Sequence, residues 1–199
     1  MPDLPADIDP DSRFRLPLPK REQLDDAGKR IYDRVTDPKG GTIVGIRGPA
    51  GIQLYSPKLA EYARPLNSYL RFECGFSPRL REIAILATAR EFDSQFEWAA
   101  HEPEALKEGV PAATIDIIKH RKSTAGLPDA EAAVIELARE FYRTKKVSSA
   151  TFARAAKHYA PGDLVNLVAL MGNYAGTALL LAAFDMQLPP GQAPLLPVP

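Results

Sequence analysis

The sequence contains a single cysteine. Cys74 can form neither an internal disulfide nor a dithiol pair, which excludes a disulfide-stabilised scaffold and two-cysteine redox chemistry within one chain. There is also no surplus of charge: Lys and Arg total 25, and Asp and Glu total 25. Recruitment of nucleic acid or of an anionic membrane by bulk electrostatics is therefore not expected. The first 22 residues, MPDLPADIDPDSRFRLPLPKRE, hold no apolar h-region, so no signal peptide is expected and the chain reads as cytoplasmic. Sustained period-two alternation is missing too, and IVGI at 43–46 is the one short candidate strand.

What is present is ordinary globular composition. Hydrophobic residues make up 45% and charged residues 25% of 199 residues, enough for one domain with a real core. The 19 prolines gather at the ends. Residues 1–20 and 189–199 therefore read as extended arms around a single helical domain, 21–188. The C-terminal arm carries Leu195, Leu196 and Val198, an apolar load that suits contact with a neighbouring subunit or else a disordered tail. Helical spacing and capping signals place helices at about 21–36, 57–73, 77–91, 93–109, 112–121, 128–145, 149–159 and 163–185. The fold class is all-α, a compact multi-helix bundle.

Two segments invite other readings. The glycine-rich stretch GGTIVGIRGPAG at 40–51 lacks the Gly-Lys-Ser/Thr ending of a phosphate-binding loop. Residues 164–184 are uncharged and long enough to cross a bilayer, but Asp163 and Asp185 flank them and Asn166, Asn173 and Thr177 lie inside. A central buried helix is the better reading, with Gly172 and Gly176 marking where another helix backbone, such as a second subunit's, comes close.

The residues that could carry chemistry lie in DSQFEWAAHEP, 93–103. Ser94, Glu97 and His101 fall at i, i+3 and i+7 and share one helical stripe. Pro103 removes the N–H that would bond the Ala99 carbonyl, so a kink or restart is expected one turn from His101. In the preceding helix Glu82 sits among Leu80, Ile83, Ile85 and Leu86, where a carboxylate needs a partner or a raised pKa. The same spacing also fits a solvated face on which Glu82 stands with Arg79 and Arg81. Trp98, Phe72, Phe76, Phe92 and Phe96 read as core, and His120 and His158 as surface residues.

SPRLREIAILATAR followed by FEWAAHEPEALKEGV resembles the carboxymuconolactone decarboxylase family, which includes the alkylhydroperoxidase D proteins. The resemblance is good over roughly 55–125 and looser through DLVNLVALMGNYAGTALLLAAFD. It implies an alkylhydroperoxidase D-like helical fold and a homo-oligomer: dimer, trimer or hexamer. The peroxidase branch carries a glutamate, a cysteine twelve residues later, a second cysteine after three and a histidine after four. Here those positions are Glu82, Ser94, Glu97 and His101. Both redox sulfurs are replaced, so thiol peroxidase chemistry is not expected, and Cys74 lies outside the motif.

Histidine titrates near neutrality and carboxylates can orient it, so His101, Glu82, Glu97 and Ser94 form the candidate catalytic group for proton transfer. The resemblance then implies a cofactor-independent lyase (decarboxylase) or isomerase acting on a small carboxylate or lactone. His101 would donate the proton and Glu82 would orient it. A peroxidase-type oxidoreductase and a non-catalytic oligomeric scaffold are the rival readings. Arg47 is the candidate substrate-binding cation, with Arg71 and Arg90 as further candidates. No cofactor is expected; a divalent metal on Glu82, Glu97 and His101 is the minority alternative.

Overall fold

A computed structural model describes residues 4–37, 39 and 42–197. The expectations for Pro38, Gly40, Gly41 and Val198 lie outside them. Among the described residues there are nine α-helices and no β-strand. The helices are α1 (Asp26–Thr36), α2 (Pro49–Gln53), α3 (Pro57–Ser68), α4 (Pro78–Glu91), α5 (Gln95–Lys107), α6 (Ala112–Lys119), α7 (Asp129–Thr144), α8 (Ser149–Ala156) and α9 (Pro161–Ala183). The all-α class is as the sequence predicts. IVGI is not a strand: Gly45 turns the chain at φ +61°, and α2 begins four residues later at Pro49. The helix expected over 57–73 is α-helical only to Ser68 and continues as a π-helix, Tyr69–Glu73. Pro65 lies within its α-helical part.

The chain divides into two compact units, Met1–Asn67 with Leu179–Ala193 and Ser68–Ala178 with Pro194–Pro199. In the first, Ile31 and Val35 of α1 pack with Leu54 and Ala60. The N-terminal stretch is not a free arm. Phe14 and Ser12 are fully buried, the Arg13 Nε donates to the Leu188 carbonyl (2.9 Å), and the Arg15 amide donates to that of Phe184 (2.9 Å).

In the second unit α4 is the axis, packed by α5, α6 and α7, with α8 on α7. Ser77 caps α4 by accepting from the Leu80 amide, and Pro78 occupies the first turn, where its missing N–H costs nothing. Because helices surround it, every residue from Arg81 to Arg90 is buried. The solvated-face reading of Glu82 therefore fails. The C-terminal tail also belongs here: Leu196 is buried in the core, with its amide and that of Leu195 donating to the Gln95 side chain (3.0 Å each).

The α9 helix is long and apolar enough to cross a membrane by length and composition, but it is two-faced rather than central. Leu167, Leu170, Met171 and Tyr174 enter the core, whereas Val165 and Val168 are exposed. A Cβ added to Gly172 or Gly176 would meet nothing within 4 Å, so no helix among the described residues closes on those glycines.

Candidate active site

The site is built on α4 and α5. Ser94, not Asp93, is the N-cap of α5; Asp93 takes the left-handed conformation (φ 50°), and its carboxylate bonds the guanidinium groups of Arg90 and Arg121. The α5 helix runs unbroken through Pro103 to Lys107, with Glu108 as its C-cap and Gly109 following at φ +83°. Glu97 and His101, one turn apart, are both buried.

His101 meets Glu82 across the α4–α5 interface: its Nδ1 lies 2.8 Å from Glu82 Oε2. The other carboxylate oxygen, Oε1, accepts from Arg81 Nε at 3.0 Å, and Arg81 Nη1 donates to the Arg71 carbonyl at 2.9 Å. Burial pushes the Glu82 pKa up, but the hydrogen bonds and charges of His101 and Arg81 outweigh it and hold the carboxyl below its ordinary value. An ionised Glu82 accepts, so His101 Nδ1 is the donor in this pair and the ring is held in a fixed orientation by the carboxylate.

Glu97 is in the opposite condition. It is buried, its Oε2 has no hydrogen-bond partner, and burial alone raises its pKa well above the usual carboxylate range. Burial thus favours its neutral, protonated form. Two titratable groups on one helix thus meet different surroundings: His101 has an ionised carboxylate partner and Glu97 has none.

Tyr174 of α9 completes the wall. It is buried, its ring meets that of His101 edge-on at 5.2 Å and 85°, and burial raises its phenol pKa. The charges of Arg71, Glu82, Glu97 and Arg81 all reach its hydroxyl, which puts the five side chains in one neighbourhood. Arg71, on the π-helix, has a buried Nε with no partner. The Arg81 guanidinium lies over the Phe72 ring (5.3 Å) and that of Arg71 lies over the same ring (4.7 Å).

Of the residues expected from sequence, Glu82 and His101 are in direct contact, and Glu97 is buried one turn before His101 on α5. Ser94 sits at the start of α5 and makes no hydrogen bond to any of them. Arg47 belongs to the first unit, exposed, with its Nε donating to the Asp11 carbonyl (3.0 Å). Arg90 is structural: it is buried and donates to the carbonyls of Lys119 and Pro197. Two contributors escape the sequence reading. Arg81 reads as solvated there because its neighbours are charged. Tyr174 is a lone phenol in the uncharged stretch 164–184, a signal that such a group usually has a polar role. Among the described residues no three His, Cys, Asp or Glu side chains are placed to hold a metal ion.

No curated protein matches this chain. Its fold is similar to the crystal structure of an Agrobacterium tumefaciens protein of unknown function, a candidate antioxidant defence protein AhpD. The TM-score is 0.63 at 15% identity, covering 69% of this chain and 94% of that one. At that identity the likeness concerns fold alone. The family model of the carboxymuconolactone decarboxylase family matches residues 57–140, the span holding α4, α5 and the Glu82–His101 contact. Over that segment the chain is similar to the carboxymuconolactone decarboxylase family.

Proposed function

We propose that this chain is a cofactor-independent lyase or isomerase that moves a proton at a carbon beside a carbonyl in a small carboxylic acid or lactone. One observation carries the reading: a Glu82-oriented His101 and a buried, unpartnered Glu97 lie one helical turn apart. In a decarboxylation the bond to the carboxylate carbon breaks, CO2 leaves, and the electron pair is held as an enolate. A proton must then be delivered to carbon. Glu97 is the group already holding one, so it takes the donor role that the family resemblance implies for His101. Decarboxylation consumes that proton, and solvent resupplies it to Glu97; in isomerisation His101 Nε2 takes the proton from one carbon while Glu97 delivers one to another. Arg71, with a donor to spare, and the Arg81 guanidinium favour a substrate carrying negative charge.

A purely structural polar network is the weaker reading. Buried polar groups kept for packing are ordinarily satisfied, and here Glu97 Oε2 and Arg71 Nε are not. The test is a panel of small lactone acids and β-keto acids scored for CO2 release and for double-bond migration. Activity lost in both His101→Asn and Glu97→Gln is expected. Full activity in either variant, or turnover of alkyl hydroperoxide with a dithiol reductant, would overturn the proposal.

A further inference from the structure

A second place in the molecule collects unpaired cations. In the first unit, α1 and α3 enclose a cleft of about 180 Å³ lined by Arg30, Arg34, Arg64, Glu61, Ala27 and Ile31, with Ala60 and Pro65. That is well above the ~10–15 Å³ that one water needs. Three of the lining side chains are guanidinium groups and one is a carboxylate. The carboxylate is already shared: Glu61 pairs with Arg30 at 3.2 Å and with Lys58 at 3.4 Å. Among the described residues, Arg34 has no ion pair or hydrogen bond of its own. Arg64 Nε is buried and equally without a partner.

This arrangement is unfavourable as it stands. Arg30 and Arg34 are one turn apart on α1, so their charges point to the same side and repel. Burial lowers the Arg64 pKa, and the charge of Arg34 lowers it further, so the two guanidinium groups feel each other. A buried donor left unbonded costs stability, and a charged one costs more. Apolar stems from Ile31 and Ala60 floor the cleft and lower its dielectric, which strengthens any ion pair made there.

We propose that the cleft between α1 and α3 is a binding site for a small doubly charged oxyanion, clamped by the guanidinium groups of Arg34 and Arg64 with Arg30 at the rim. Planar guanidinium forks match the oxygen geometry of phosphate and carboxylate, and two forks facing one anion satisfy the Arg64 Nε while removing the Arg30–Arg34 repulsion. The site is independent of the Glu82–Glu97–His101 group and of the reading given to it.

The experiment is a titration of the full chain with inorganic phosphate and, separately, with succinate, against sodium chloride at matched ionic strength. Thermal midpoint and backbone amide shifts of α1 and α3 are followed. Saturable stabilisation by at least one dianion and none by chloride is expected, and the dianion that saturates tells phosphate from dicarboxylate chemistry. Arg34→Gln, an exposed position that should not disturb folding, raises the half-saturating concentration about tenfold or more, the scale of one lost charge-assisted hydrogen bond. Arg34→Lys, which keeps charge but loses the fork, recovers only part of it. Three results would each overturn the proposal: a response that follows ionic strength alone, an unchanged titration in Arg34→Gln, or saturation only by a polymer such as heparin.

Discussion

Replacing Glu97 by Gln should stabilise the protein, and by an amount that grows with pH. In the unfolded chain a glutamate releases its proton near pH ~4.3. In the native state burial raises the Glu97 pKa well above that, so the folded form keeps a proton that the unfolded form has lost. Stability therefore falls as pH rises between the two values, with a limiting slope of about 1.4 kcal/mol per pH unit. A glutamine side chain has no proton to release, so the slope disappears in the variant. For a chain of this length 1 kcal/mol moves the thermal midpoint by about 2–4 °C, so the variant should gain roughly 3–6 °C on wild type per pH unit. The gap opens above pH ~4.3 and levels off once the native pKa is passed. Denaturant midpoints and thermal melts of both proteins, from pH 4 to pH 8.5, measure it. The amide's own unbonded donors add a constant offset, about 1–3 kcal/mol, that leaves the slope untouched. Parallel stability curves would refute the neutral Glu97 and with it the donor role.

Other outcomes follow from neighbouring observations. Glu82→Gln strips the charge that both Arg81 and His101 rely on, and breaking a buried pair of this kind costs about 3–5 kcal/mol. Since the Glu82 pKa is held low, its contribution is complete above the unfolded value near pH ~4.3 and is lost as pH falls, so the wild-type advantage shrinks in acid; urea midpoints at pH 7 and pH 3.5 check the sign. Cys74→Ser should leave every activity unchanged, because Cys74 Sγ is engaged with the Leu70 carbonyl (3.0 Å) and makes no hydrogen bond to Glu82, Glu97 or His101; hydroperoxide consumption that depends on Cys74 would contradict this. The exposed Val165 and Val168 beside Gly172 and Gly176 form an apolar face on α9, and self-association through it is expected. Light scattering should show wild type larger than Val168→Asp, and a monomeric wild type would refute it.

Much of the site is legible in the sequence because helices impose fixed intervals. The spacing of Glu97 and His101 places them on one face whatever surrounds them, and the pairing of Ser77 with Pro78 marks where α4 begins. Burial is less legible. The flanking Arg79 and Arg81 make Glu82 look solvated, but Arg81 turns inward to pair with it, and only the helices packed around α4 reveal that. The tail residues Leu195 and Leu196 look like a contact for another subunit because their receptors, Gln95 and the core of the second unit, lie about a hundred positions away in sequence. The α9 helix reads as fully buried because its exposed face is apolar as well, so composition cannot separate the two sides. The cleft of Arg30, Arg34 and Arg64 joins two helices whose mutual approach no local pattern encodes.

In the proposed reaction Glu97 and His101 together exchange a proton with substrate carbon. Proton NMR in deuterium oxide tests it directly, by following loss of the α-hydrogen signal across a panel of small keto acids and lactones. Enzyme-dependent washout from at least one of them is expected, lost in both Glu97→Gln and His101→Asn although each variant remains folded. Washout no faster than the buffer blank across the panel, or equal rates in wild type and the two variants, would contradict it.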